Sequence, residues 1–255
     1  MENKFFLSLF LGFSAILLLG FSTSFAGAPP GAGGGSAGGG YTTSSGLRAF
    51  HIDLGMYSPS LAMINDDLKF YGDPAIGGGT YFDLGFTMSD RAMPSQKTLL
   101  AFAYWSGSSS RPNFTENLRL YMFHISPMWE LTSLSNAISP DFRLSLGFTA
   151  RDVVASLVDE FGSSSYVAFI GMIFDAGPSL GLEYYPIRNS RNFSISANLD
   201  YIILNWNILP LNVSDYSNDQ AGLVSFGDPY KNHADKNMMV ETNGPVFRLG
   251  VNFYY

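Results

Sequence analysis

The sequence predicts an all-β fold, an eight-stranded antiparallel up-and-down transmembrane β-barrel, on three observations. Apolar residues recur at every second position in segment after segment, the period of a strand and not of a helix. The positions between them hold small and polar residues instead of the long charged groups that a water-facing sheet carries. The segments number eight, an even count that lets a meander close on itself.

The first strand, Leu47 to Tyr57, sets Phe50, Ile52, Leu54 and Met56 against His51, Asp53, Gly55 and Tyr57. The second, Thr80 to Met88, opposes Phe82, Leu84, Phe86 and Met88 to Tyr81, Asp83, Gly85 and Thr87. The third, Thr98 to Trp105, places Leu100, Phe102 and Tyr104 opposite Ala101 and Ala103. The fourth, Asn117 to Leu131, begins with Leu118, Leu120 and Met122 outward and shifts phase to Phe123, Ile125, Trp129 and Leu131, as a bulge would cause. The fifth, Phe142 to Arg151, and the sixth, Val167 to Tyr185, keep apolar residues on even positions and every charge on odd ones. The seventh runs from Phe193 to Leu204. The eighth, Val246 to Tyr255, aligns Phe247, Leu249, Val251, Phe253 and Tyr255 on one face and Arg248, Gly250, Asn252 and Tyr254 on the other.

The apolar face carries almost no charge, and a midplane Arg or Lys on the lipid face of a barrel costs about 2–4 kcal/mol. That face is therefore expected to meet lipid and the small-residue face to line a narrow lumen. Tyr57, Tyr104, Tyr184, Trp206 and Tyr255 near strand ends suit interfacial girdles. Residues are 46% hydrophobic, 15% aromatic and 14% charged, which excludes a disordered chain and a charged coiled coil. The formal charge is −7 with no basic block, so no nucleic-acid partner is expected. The absence of cysteine excludes disulfides, thiolate zinc sites, thiol nucleophiles and a lipid-modified N-terminal cysteine.

Ahead of the strands, Lys4, the apolar run Phe5 to Phe21 and the small residues Ser24 and Ala26 predict a signal peptide over residues 1–26. Residues 27–46, rich in Gly and Ser, predict a flexible tail, which leaves 47–255 for the barrel. Strand parity sends four long connections to one side: Ser58 to Gly79, Ser106 to Glu116, Asp152 to Tyr166 and Asn205 to Pro245. Shorter turns, Ser89 to Lys97, Thr132 to Asp141 and Pro186 to Asn192, lie on the other side, and Asp152 to Phe161 has the spacing of a short capped helix.

Leader, missing cysteine, two-faced strands and the ending Phe253-Tyr254-Tyr255 resemble the small Gram-negative outer-membrane β-barrel proteins of the OmpA-type and OmpW-like classes. The resemblance implies export to the bacterial outer membrane and contact with its lipids and lipopolysaccharide. It also implies recognition of the last strand by the outer-membrane assembly machinery, with Phe247, Leu249, Val251, Phe253 and Tyr255 as the signal. Tyr255 stands where that family usually has Phe, and the peptidoglycan-binding domain that follows an OmpA-type barrel is not expected. The function implied is non-enzymatic and porin-like in architecture, exercised through surface loops or in envelope integrity. The alternative is a transporter or narrow channel for small or hydrophobic solutes.

A third reading, a lipid A hydrolase, rests on His124-Ile125-Ser126, similar to the His-x-Ser of outer-membrane deacylases with Glu130 as orienting group, although Pro127 departs from that motif. No catalytic residue, cofactor or metal ligand is assigned from the sequence. His51 is read as a hydrogen-bonded lumen residue, and Asp215, Asp219, Asp228, His233 and Asp235 as a solvated acidic loop without cation-loop spacing. The expected site is a lumen charge network of Asp53, Asp83, Asp175, Glu183 and Asp200 with Arg119, Arg143, Arg151 and Arg248. Counting from the strand ends groups Asp53, Asp83 and Arg248 together, Arg143 with Glu183, and Arg119, Arg151, Asp175 and Asp200 in an upper layer. Pairing is expected because an isolated ion in a narrow lumen loses its hydration, and such a network would plug the barrel, since eight-stranded interiors are just wide enough for side chains.

Overall fold

A computed structural model describes residues 48–89, 95–139, 141–162, 164–187 and 192–255; the expected signal peptide and Gly-rich tail lie outside them. The strands are β1 (Arg48–Tyr57), β2 (Gly79–Ser89), β3 (Gln96–Arg111), β4 (Phe114–Glu130), β5 (Phe142–Phe161), β6 (Ser165–Tyr184), β7 (Phe193–Ile202), β8 (Leu204–Tyr216) and β9 (Gly244–Tyr254). Two short helices, α1 (Ala62–Phe70) and α2 (Thr132–Ile138), follow β1 and β4. β7 and β8 are one stave interrupted at Ile203, and both pair with β6. Neighbours are antiparallel throughout, and β9 pairs with β1, so eight staves close into a barrel.

Partners of Gly55 can be followed both ways around the wall. Through Tyr81, Trp105, Leu120 and Ala155 they reach Gly171 on β6, and through Arg248 and Asn198 they reach Gly181, ten residues along the same strand. That stagger is roughly 33 Å along a strand, so the staves tilt steeply and each lateral row climbs from β1 through β6.

The outward face is an apolar belt. Leu54, Leu84, Phe86, Phe102, Leu146, Phe148, Leu180, Leu199 and Leu249 are all exposed on it, on seven strand segments. A ring of this kind exceeds the apolar patches that a soluble monomer leaves in water and matches a lipid-facing band. Leu180 is flanked by Leu146 and Leu199 within the belt. Leu180→Arg is expected to lower stability by about 2–4 kcal/mol in urea titrations in lipid vesicles, whereas Ser108→Arg, at an exposed outward position on the extension of β3, should change little.

Four expectations about the strands require correction. β4 has no phase shift: Leu118, Leu120, Met122, His124 and Ser126 all face inward and are buried, while Arg119 is exposed on the outside. Arg119 therefore does not belong to the lumen. The alternation of β4 never breaks, and the inward apolar residues serve a core that the belt-and-lumen picture does not anticipate. β5 continues through Asp152 to Phe161 as strand, with Val153, Ala155, Leu157 and Asp159 buried, so the expected surface helix is absent. Asp152 instead turns outward between Phe123 and Phe174. The second and third long connections shrink to tight turns about Asn113 and Gly162, both with positive φ, because β3 to β6 run on beyond the belt. Tyr57 is fully buried and is not a girdle residue.

The extended parts of β3 to β6, with β8, form a wall beyond the belt. Loop 58–78 with α1, and loop 217–243, pack on its inner face, where Leu61, Ile64, Leu68, Trp105, Leu118, Leu157, Phe169, Leu211 and Met238 form one apolar core. Asn65 ties α1 to its own loop, donating to the Ile76 carbonyl at 3.1 Å and accepting from its N–H at 2.8 Å. His233 ties the two loops together: its backbone N–H donates to Asp67 at 2.6 Å, its Nδ1 lies 2.8 Å from the same oxygen, and its ring stacks on Phe70.

Beneath this cap, Glu116 and Asp159 face each other as register partners and are both buried. They lie past Arg119, outside the belt. Burial, then the carboxylates of Asp159, Asp67 and Asp73, push Glu116 up to about 9. Burial pushes Asp159 up to about 7, against the hydrogen bond from Glu116. Carboxyls raised in the closed cap favour it fully below the ordinary carboxylate range, and that contribution is lost as pH rises through about 7 and then about 9. Proteolysis of the cap loops should accelerate across that interval, with a shallower pH dependence in Glu116→Gln.

Candidate functional site

The inward positions of the belt are narrow because they must hold ion pairs. Arg248 on β9 is fully buried and donates from Nη1 to Asp83 at 2.6 Å and from Nη2 to Asp200 at 2.7 Å, with Asp53 at 3.7 Å. Room for this exists only because residue 250 is glycine: a Cβ there would fall 1.7 Å from Asp53 Oδ1. Asp83 also lies 3.2 Å from His51 Nε2 and 2.9 Å from His124 Nε2. A carboxylate only accepts, so each Nε2 carries the hydrogen. Ser126 bridges His124 Nδ1 at 3.3 Å and Thr149 at 2.8 Å, and Asp200 further accepts from Thr149 and Ser179.

A second layer lies nearer the loops. Arg151 grips Asp175 bidentately at 2.6 and 2.8 Å, donates to the Tyr57 hydroxyl at 2.9 Å and covers the Tyr57 ring. Thr242 from the fourth loop donates to Asp175 at 2.6 Å, and its carbonyl accepts from Tyr57, so the cap is stitched to the ionic layer.

The third layer stands at the end where β1 begins and β9 ends. Lys97 binds Glu183 at 2.7 Å, Arg143 binds Glu130 at 3.1 Å, and Glu183 also accepts from Ser194 and Tyr254. Between this layer and Arg248 lies a cavity of about 60 Å³ lined by His51, Asp53, Ser126, Asn198 and Asn252 among others. It has room for a few waters and not for an organic substrate.

Asp53, Asp83, Arg143, Arg151, Asp175, Glu183, Asp200 and Arg248 thus face the lumen, and Arg119 does not. Asp200 belongs with Arg248 and not with the upper layer. Counting from strand ends ignores the stagger, by which the lateral row descends from β1 through β9 to β7, so Asp200 is lower than its count implies. Arg143 is the register partner of Glu183, yet its ion pair is with Glu130. Glu130 is therefore no orienting group for His124; Asp83 occupies that position. The resulting Ser126-His124-Asp83 chain is buried inside the barrel, away from the lipid face that the deacylase resemblance requires.

Sequence reading placed Lys97 in a turn and left His124, Ser126 and Thr149 out of the lumen network. The signal for the β4 pair was uninterrupted alternation from Leu118 to Glu130. The fourth-loop acids do not converge: among the described residues only His51, Asp53 and Asp83 bring metal-ligating atoms together.

No family model matches the chain, and no curated protein matches it. Among solved structures it is similar to the crystal structure of Neisserial surface protein A (NspA), with 15% identity over 84% of this chain and 98% of that one and a TM-score of 0.38. It is also similar to that of Acinetobacter baumannii CarO2, with 14% identity over 83% of this chain and 99% of the other and a TM-score of 0.32.

Proposed function

We propose that this chain is a closed, non-conducting barrel of the bacterial outer membrane that acts through its loop-side cap or in envelope integrity, without catalysis. The observation that carries the reading is the double obstruction of the lumen. Arg248 and its carboxylates fill the barrel section inside the belt with no solvent exposure, and the apolar core of the cap fills the section above. Eight staves leave little free width once such side chains are in place. The belt supplies the lipid contact, and the outward row Phe247, Leu249, Val251 and Phe253, ending in Tyr255, is the surface proposed for recognition by the assembly machinery. Against a solute conduit, the cavity below Arg248 is lined by neither Arg151 nor Asp175 nor any residue of the cap loops.

The test has two parts. Folded chain should fractionate with the outer membrane and show heat-dependent gel mobility; recovery from the soluble periplasm would refute the location. Reconstituted in planar bilayers, it should give no steady single-channel steps. Steady conductance would refute the plug and favour the transporter.

A further inference from the structure

The central ionic layer is unbalanced. Asp53, Asp83 and Asp200 surround a single guanidinium, Arg248, and all four are essentially sealed from solvent. Three carboxylates so placed around one guanidinium form an arrangement that low dielectric makes costly. Two of the nearby polar atoms, His51 Nδ1 and Asp53 Oδ1, have no hydrogen-bond partner although both residues are about 99% buried.

These features coincide in space. One donor atom from each of His51, Asp53 and Asp83 lies within 4.8 Å of the other two. Arg248 engages Asp83 through Oδ2, which leaves Oδ1 with only His51 beside it. The His51 nitrogen beside Asp83 Oδ1 is Nε2, at 3.2 Å, so an ion held between the two would take the place of the hydrogen there. His51 and Asp53 also form part of the lining of the small cavity, which reaches down to Lys97, Glu183, Glu130 and Arg143, side chains 12–16% exposed at the terminal end of the barrel. A hydrated cation entering there would meet His51 and Asp53 on the cavity wall, with Asp83 Oδ1 next to His51, and keep water in its remaining positions.

We propose that the barrel binds one divalent transition-metal ion at His51, Asp53 and Asp83. The donor set selects the class: an imidazole favours zinc and its first-row neighbours, and two carboxylate oxygens add the charge that a divalent ion neutralises. His124 and Arg248 hold Asp83 from its other side, the kind of outer-shell support that orients a ligating carboxylate. The site concerns the interior of the barrel and does not depend on what its surfaces contact.

The full chain, folded in detergent and stripped with chelator, is dialysed against micromolar Zn²⁺ and its metal content measured. One zinc per barrel is expected. Asp53→Asn and His51→Ala should each weaken uptake by more than about 100-fold while keeping the heat-dependent mobility of the folded barrel. His233→Ala, at the cap, should leave uptake unchanged. If His51→Ala does not fold, the near-isosteric Asp53→Asn decides. Absence of zinc uptake by the wild-type chain would overturn the proposal. Undiminished uptake in Asp53→Asn, or loss in His233→Ala, would also overturn it.

Discussion

Arg248→Ala is expected to destabilise the barrel by about 3–5 kcal/mol, the range for removing one partner of a buried ion pair. The side chain holds Asp83 and Asp200 with short hydrogen bonds and sits close to Asp53, and all three carboxylates are buried. Its loss leaves three carboxylates facing one another, with only the two imidazoles on Asp83 to share charge. Urea unfolding in lipid vesicles, followed by the shift in gel mobility, measures the change. Combining Arg248→Ala with Asp200→Asn should recover part of it, because each removed carboxylate lessens the repulsion. A single variant as stable as the parent would mean that the layer is solvated and the lumen is open.

Trp105→Ala is expected to open the cap and leave the belt intact. Trp105 is fully buried, packs edge-on against Tyr57 at 6.0 Å between ring centres and donates from Nε1 to the Tyr57 carbonyl at 3.1 Å. Truncating a buried tryptophan costs about 3–5 kcal/mol through lost burial and the cavity left behind. The cost falls on the cap because the cluster that surrounds Trp105 is built largely from α1, the fourth loop and the strand extensions. Limited proteolysis should therefore cut within 58–78 or 217–243 many times faster in the variant, while heat-dependent mobility persists. Equal cleavage rates would show that the loops close without that core.

Strand count, closure and facing were legible because period-two alternation is a local signal and survives wherever one face meets lipid. The cap was not legible for the same reason. Leu118, Leu120 and Met122 are apolar like belt residues, but they serve a second, inward core, so a reading that assigns every apolar residue to lipid must invert them and carry Arg119 into the lumen. Val153, Val154, Leu157, Val158 and Phe161 imitate a helix face for a related reason, since inward Val153 and Leu157 alternate with outward Val154 and Val158 and the strand has no contrast between its faces. The site was legible as a set of inward charges but not as a set of pairs. Pairing depends on the ten-residue stagger of the wall, a global property that brings Asp200 level with Arg248 and that no single strand encodes.

The residue at the centre of the lumen is carried by the last strand. Arg248 lies on β9, whereas Asp53, Asp83 and Asp200 lie on β1, β2 and β7. Until β9 is in place, these three carboxylates have no guanidinium, and the β1 edge has no partner. The contact that links β9 to β1 spans nearly the whole chain, and contacts of such sequence separation form late because loop closure must come first. An assembly intermediate with its first seven staves formed would thus contain an electrostatically frustrated interior, and arrival of the last stave would remove the frustration and the open edge in one event. Barrel completion is thereby made cooperative: a chain truncated before Arg248 forfeits the counter-ion for staves it still possesses, which biases the population away from partly zipped forms.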